Sequence, residues 1–110
     1  MSLITVTLCN TKDDWGVHVF IKAEIIEGCL KVSGHDIGKA CENVCGDSDY
    51  EYLYSFDKEN TQRLNRLLQN GTEQASMEKL LINNFSGLSG TARLRQICED
   101  NGITFSFFSY

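Results

Sequence analysis

Three side chains near the middle of the chain have the types that hold metals or attack carbonyls: His35, Cys41 and Cys45. An i, i+4 cysteine pair with a histidine close by is a partial ligand set. A structural zinc site wants four ligands in tight pairs, and there is no C-x-x-C here, so a metal site is not expected. A thiol nucleophile would need a histidine base and a group to orient it. The chain has two histidines, His18 on an expected strand and His35 in an expected loop beside Asp36. The bland reading, small core thiols and a structural histidine, fits these residues better. Phosphate loops, G-x-G-x-x-G and G-x-S-x-G are all missing. Paired acids suited to glycoside hydrolysis are equally well explained as a solvated acidic loop. The expectation is a protein that is not an enzyme and needs no cofactor.

The carboxylates carry more information. The chain has 110 residues and a formal net charge of −5. Residues 36–59 hold seven acids (Asp36, Glu42, Asp47, Asp49, Glu51, Asp57 and Glu59) and two bases (Lys39 and Lys58). The other residues carry eight acids and eight bases, so the whole net charge sits in that stretch. Charge of one sign in one region concerns partners and association rate rather than fold. It argues against nucleic acid as a direct partner, because phosphate binding needs clustered lysine and arginine. Interleaved with the acids are Tyr50, Tyr52 and Tyr54. Alternating tyrosines are ordinary strand residues with an apolar body and a wet hydroxyl, and they are also favoured at interfaces. Asp36, Glu42, Asp47, Asp49, Tyr50, Glu51 and Tyr52 are therefore the candidate partner-binding residues.

These residues need a scaffold. Length and composition fit one domain over residues 1–110, with 42% hydrophobic and 23% charged residues. No apolar run is long enough to span a bilayer, and "MSLITVTLCNTKDD" lacks the basic and small-residue marks of a signal peptide. The expected location is the cytoplasm, with the five cysteines as free thiols and no membrane partner. "LITVTLC" alternates at period two and predicts a strand over residues 3–9, followed by a polar turn. "WGVHVFIKAEII" predicts a second strand, with Trp15, Val17, Val19 and Ile21 on one face and His18, Phe20 and Lys22 on the other. Glu27-Gly28 closes it, and "CLKVSG" predicts a third strand with Leu30 and Val32 inward. Residues 34–49 read equally as a short helix or a long polar loop. "YEYLYSF" predicts the fourth strand, and Asp57 has the character of a helix N-cap.

Three helices follow by apolar spacing: one on Leu64, Leu67 and Leu68 ending at Asn70-Gly71, one on Met77, Leu80, Leu81 and Phe85, and one on Leu94, Ile97 and Cys98 ending at Asn101-Gly102. "ITFSFFSY" predicts a last strand. The order is β-β-β-loop-β-α-α-α-β. That is an α+β fold: an antiparallel sheet of about five strands with helices packed on one face. The last strand, with Phe105, Phe107 and Phe108, offers a sheet edge through which copies could pair, so the oligomeric expectation is a monomer or weak dimer.

The segments "LKVSGHDIG", "GDSDYEYLYSFDKENTQRLNRLL" and "ICEDNGITFSFFSY" together resemble small bacterial immunity proteins encoded beside polymorphic toxins, including those of contact-dependent growth inhibition systems. The resemblance rests on Gly34, Asp36, Ile37 and Gly38, on the Asp49-Tyr50-Glu51-Tyr52 strand with its helix, and on the terminal Gly102-Ile103 strand. It covers about half of the chain, and the first strands match in character alone. It implies a toxin-neutralising role against a cognate C-terminal toxin domain, often a nuclease with a basic groove, RNase being favoured. An acidic face would mask that groove. The named acids and tyrosines are an inference from charge and are not carried over from the family. The alternatives are a structural or regulatory protein that oligomerises through its sheet edge, and a small enzyme using Cys41 or Cys45 with His35.

Overall fold

The computed structural model describes residues 3–12, 18–37, 49–69 and 76–109. Among them lie five strands and three helices: β1 (Leu3–Lys12), β2 (His18–Ile26), β3 (Cys29–Ile37), β4 (Asp49–Ser55), α1 (Lys58–Gln69), α2 (Met77–Phe85), α3 (Gly90–Asn101) and β5 (Ser106–Ser109). The strands form one antiparallel sheet in the order β1-β2-β3-β4-β5. The α+β architecture expected from the sequence is the one observed.

Each element has a local cause. β2 and β3 join through Glu27 and Gly28, both at positive φ (52° and 82°), the two-residue turn whose twist suits a hairpin. Asp57 caps α1: its Oδ1 accepts the backbone N–H of Asn60 at 2.8 Å. Ser76 caps α2 by accepting from Lys79 N–H at 3.2 Å. Gly102, left-handed at φ 66°, ends α3, and the Cys98 carbonyl accepts the N–H of both Gly102 and Ile103. The cap expected at Asn70-Gly71 lies outside the described residues, as do Trp15 and Val17.

The core lies between one face of the sheet and the helices. Ile21, Ala23, Leu30, Val32, Tyr54 and Phe56 from the sheet side meet Leu64, Leu81, Phe85, Leu94 and Cys98 from the helices, all buried. Three boundaries differ from expectation. β1 runs on to Lys12 because a bulge between Thr7 and Cys9 lets the pairing with β2 continue, and it turns both Leu8 and Cys9 into the core. β3 runs past Gly34 to Ile37, so His35, Asp36 and Ile37 are strand residues, neither helix nor loop. Pairing on both sides, to β2 and to β4, outweighs the poor strand propensity of Asp36. β5 begins at Ser106. Ile103 is buried ahead of it, and the Thr104 N–H is taken by the side chain of Asn60 at 3.0 Å.

Two features hold the helices in place. Arg93 donates to the carbonyls of Asn84 and Ser86 and to the hydroxyl of Ser89, at 2.9, 2.7 and 2.7 Å, tying α3 to the end of α2. A Cβ on Gly90 would lie 1.8 Å from the Phe85 carbonyl oxygen, so this tight α2–α3 turn excludes any side chain there.

Candidate functional site

The β3–β4 pair organises the candidate residues. Its register sets Ile37 against Asp49, Asp36 against Tyr50, His35 against Glu51, Gly34 against Tyr52 and Ser33 against Leu53. Alternation then assigns faces. Asp36, Gly34, Tyr50 and Tyr52 share the helix-covered face with buried Val32 and Tyr54, whereas His35, Ser33, Glu51 and Leu53 share the open face. The tyrosines and Glu51, adjacent in sequence, thus point to opposite sides of the sheet. The period-two alternation that makes them a strand is what separates them. Glu42 and Asp47 lie outside the described residues.

On the helix side the rings form a column. Tyr50 and Tyr52 are 5.8 Å apart between centroids, Tyr52 and Tyr54 5.7 Å, and Tyr54 and Phe107 5.0 Å. Gly34 makes room for this column: a Cβ there would lie 2.1 Å from the Tyr52 ring. A glycine inside a strand marks such a close approach, a signal in the sequence that could have pointed to the Gly34–Tyr52 pair but was not read. Burial, joined by the charge of Asp36, pushes the Tyr52 hydroxyl up to about 12, although a hydrogen bond with Thr91 on α3 opposes the shift. Burial also raises the Asp36 carboxyl above its usual range, with His35 pulling the other way. Asp36 Oδ1 is buried without a hydrogen-bond donor among the described residues.

The open face has a different chemistry. A shallow groove of about 390 Å³ is lined by Phe20, Lys22, Ser33, His35, Glu51 and Leu53, and also reaches Gly34 and Tyr52. His35 Nε2 lies 3.4 Å from Glu51 Oε1, and Lys22 Nζ lies 3.5 Å from Glu24 Oε1. This is a surface of mixed charge, with Phe20 and Leu53 as the large apolar side chains in its lining.

Asp57 and Glu59 belong elsewhere. They follow the other end of β4, whose span from Asp49 to Ser55 is roughly 20 Å at strand rise. Asp57 is the α1 cap, and hydrogen bonds from the Asn60 backbone and side chain hold its carboxyl below the usual range. Glu59 pairs with Arg63 at 3.6 Å. The described acids of the stretch are therefore divided between the two ends of β4.

Among the described cysteines, Cys9 and Cys98 are buried and Cys29 is half-buried, all as free thiols. Burial pushes the Cys98 thiol up to about 11, the opposite of nucleophile activation. Cys41 and Cys45 lie outside the described residues. Among the described residues no three His, Cys, Asp or Glu side chains converge in a metal-like group, and no helix is long and apolar enough to cross a membrane.

No family model, curated protein or solved structure matches this chain.

Proposed function

We propose that this chain is a toxin-neutralising binding protein of the bacterial immunity type, acting in the cytoplasm on a basic toxin domain, a nuclease and by preference an RNase. The observation that carries the reading is the confinement of the whole net charge to residues 36–59. Within that stretch Asp36, Asp49 and Glu51 belong to the last three pairs of the β3–β4 ladder. A nuclease groove must be basic to hold phosphates, so an acidic end of a sheet competes for it directly. Complementary charge speeds encounter, and rings buried on docking slow release. The reading requires no chemical step from the inhibitor. Tyr50 and Tyr52, both half-buried with ring centroids 5.8 Å apart, are the tyrosines assigned as anchors in this reading.

The test is co-expression with the C-terminal domain encoded immediately upstream, following growth and total RNA. The expected outcome is rescue, with suppression of RNA degradation. Reversing Asp47, Asp49 and Glu51 together to lysine is expected to abolish rescue while the protein stays folded. Full protection by that triple variant would refute the acidic mechanism.

A further inference from the structure

The two edges of the sheet are finished differently. On β1 the edge is interrupted by the bulge at Leu8, whose carbonyl accepts the Gly87 N–H from the α2–α3 turn at 2.9 Å, and the strand ends in Lys12. A bulge, a covering segment and a lysine are the usual devices that stop a strand from pairing with another chain. On β5 none of these is present among the described residues. The strand reads Ser-Phe-Phe-Ser, every residue is exposed, and among the described residues nothing pairs with its outer side. Phe107 and Phe108, 49% and 51% exposed, project to opposite faces of the sheet.

We infer that β5 is a self-association edge, at which a second copy of this chain adds its own β5 antiparallel and joins two five-stranded sheets into one. Three observations select a second copy as the occupant. First, β5 is the strand of this sheet that carries no charged residue. Two copies of a chain with net charge −5 repel, so contact is most favourable where the joint is neutral. Second, the strand is complementary to itself. With the two-fold axis at Phe107, Phe107 faces its own counterpart on the helix side. Phe108 then faces Ser106 of the other copy and reaches the other Phe108 diagonally on the open side, a separation of roughly 7–8 Å that aromatic side chains bridge. Third, both rings lose exposed apolar surface in the pairing, while the outward backbone groups gain partners that no described residue supplies. Four residues per copy make a small joint, so the association is weak, in the range of roughly 10 µM to 1 mM.

Sedimentation equilibrium across that range tests it. The wild-type chain is expected to pass from monomer to dimer. Phe108→Lys, which brings two like charges into diagonal contact, is expected to weaken dimerisation roughly tenfold or more. Ser106→Lys is expected to act in the same direction, and Leu88→Lys, exposed elsewhere, to leave it unchanged. Phe107→Cys is expected to form an intermolecular disulfide at that position, mapped by mass spectrometry under mild oxidation. A monomer at every concentration overturns the inference, and so does a dimer indifferent to both Phe108→Lys and Ser106→Lys. The inference is independent of toxin neutralisation: co-expression rescue tests one, sedimentation of the isolated protein the other.

Discussion

Asp36 is the residue at which function and stability pull apart. In sequence it reads as one acid among seven; in the fold its carboxyl lies on the helix side, with one oxygen buried and no donor for it among the described residues. Burial raises its pKa above 3.8, the usual value. For an acid with a raised folded pKa, the penalty is absent below the unfolded value. It grows as pH rises between the two values and is fully present above the folded one. Asp36→Asn is therefore expected to raise the denaturation midpoint at pH 7, with the advantage vanishing near pH 3. Equal midpoints at pH 7 would show that the carboxylate is solvated after all. Under the proposed function, a toxin cation docked against Asp36 would offset that desolvation. What the sequence conveyed at this scale was residue type and strand phase. That phase already sends Tyr50 and Glu51 to opposite faces; what it could not convey is which of the two faces the helices cover.

The start of α1 shows how an element is fixed from both ends of the chain. Asp57 as its cap was legible, since the aspartate precedes the apolar stripe directly. The roles of Asn60 and Thr61 were not. Both are buried, and their partners are distant in sequence: the Asn60 side chain accepts the Thr104 N–H, and the Thr61 hydroxyl accepts the Leu30 N–H. These two polar side chains stitch α1 to the start of β3 and to the approach to β5. Asn60→Ala leaves the Thr104 N–H without its partner and is expected to destabilise the fold by about 1–3 kcal/mol, measured by chemical denaturation. A change below about 0.5 kcal/mol would mean that water replaces the amide without loss. The misjudged end of β3 has the same origin. His35, Asp36 and Ile37 do not read as strand until the two flanking strands are known.

At the scale of the whole molecule, the described acids of residues 36–59 fall into two separate regions in space. Asp57 and Glu59 lie past the far end of β4, which spans roughly 20 Å from Asp49, more than two Debye lengths at physiological salt. Under the proposed function, association with the toxin domain is expected to slow by roughly tenfold or more as salt is raised from about 0.05 M to about 0.5 M. Glu51→Lys is expected to flatten that dependence, and Glu59→Lys to leave it nearly unchanged. Stopped-flow mixing separates the cases, and equal effects of the two reversals would mean that the field of the whole chain, not one end of β4, does the steering. The α+β architecture itself was readable from apolar periodicity, because each strand lies beside its sequence neighbour or the next strand in the chain.

That same strand order has a consequence for how the fold is reached. β1 to β4 are successive antiparallel neighbours with short-range pairings, whereas β5 pairs with β4 across the whole of α1, α2 and α3. Loop-closure entropy makes the first three pairings early events and the last a late one. Until β5 arrives, the far side of β4 is an open hydrogen-bonding edge lined with Tyr52 and Tyr54. The helices must condense on the sheet before that edge is closed, so the kinetic vulnerability of this protein lies in the interval between making its tyrosine strand and covering it.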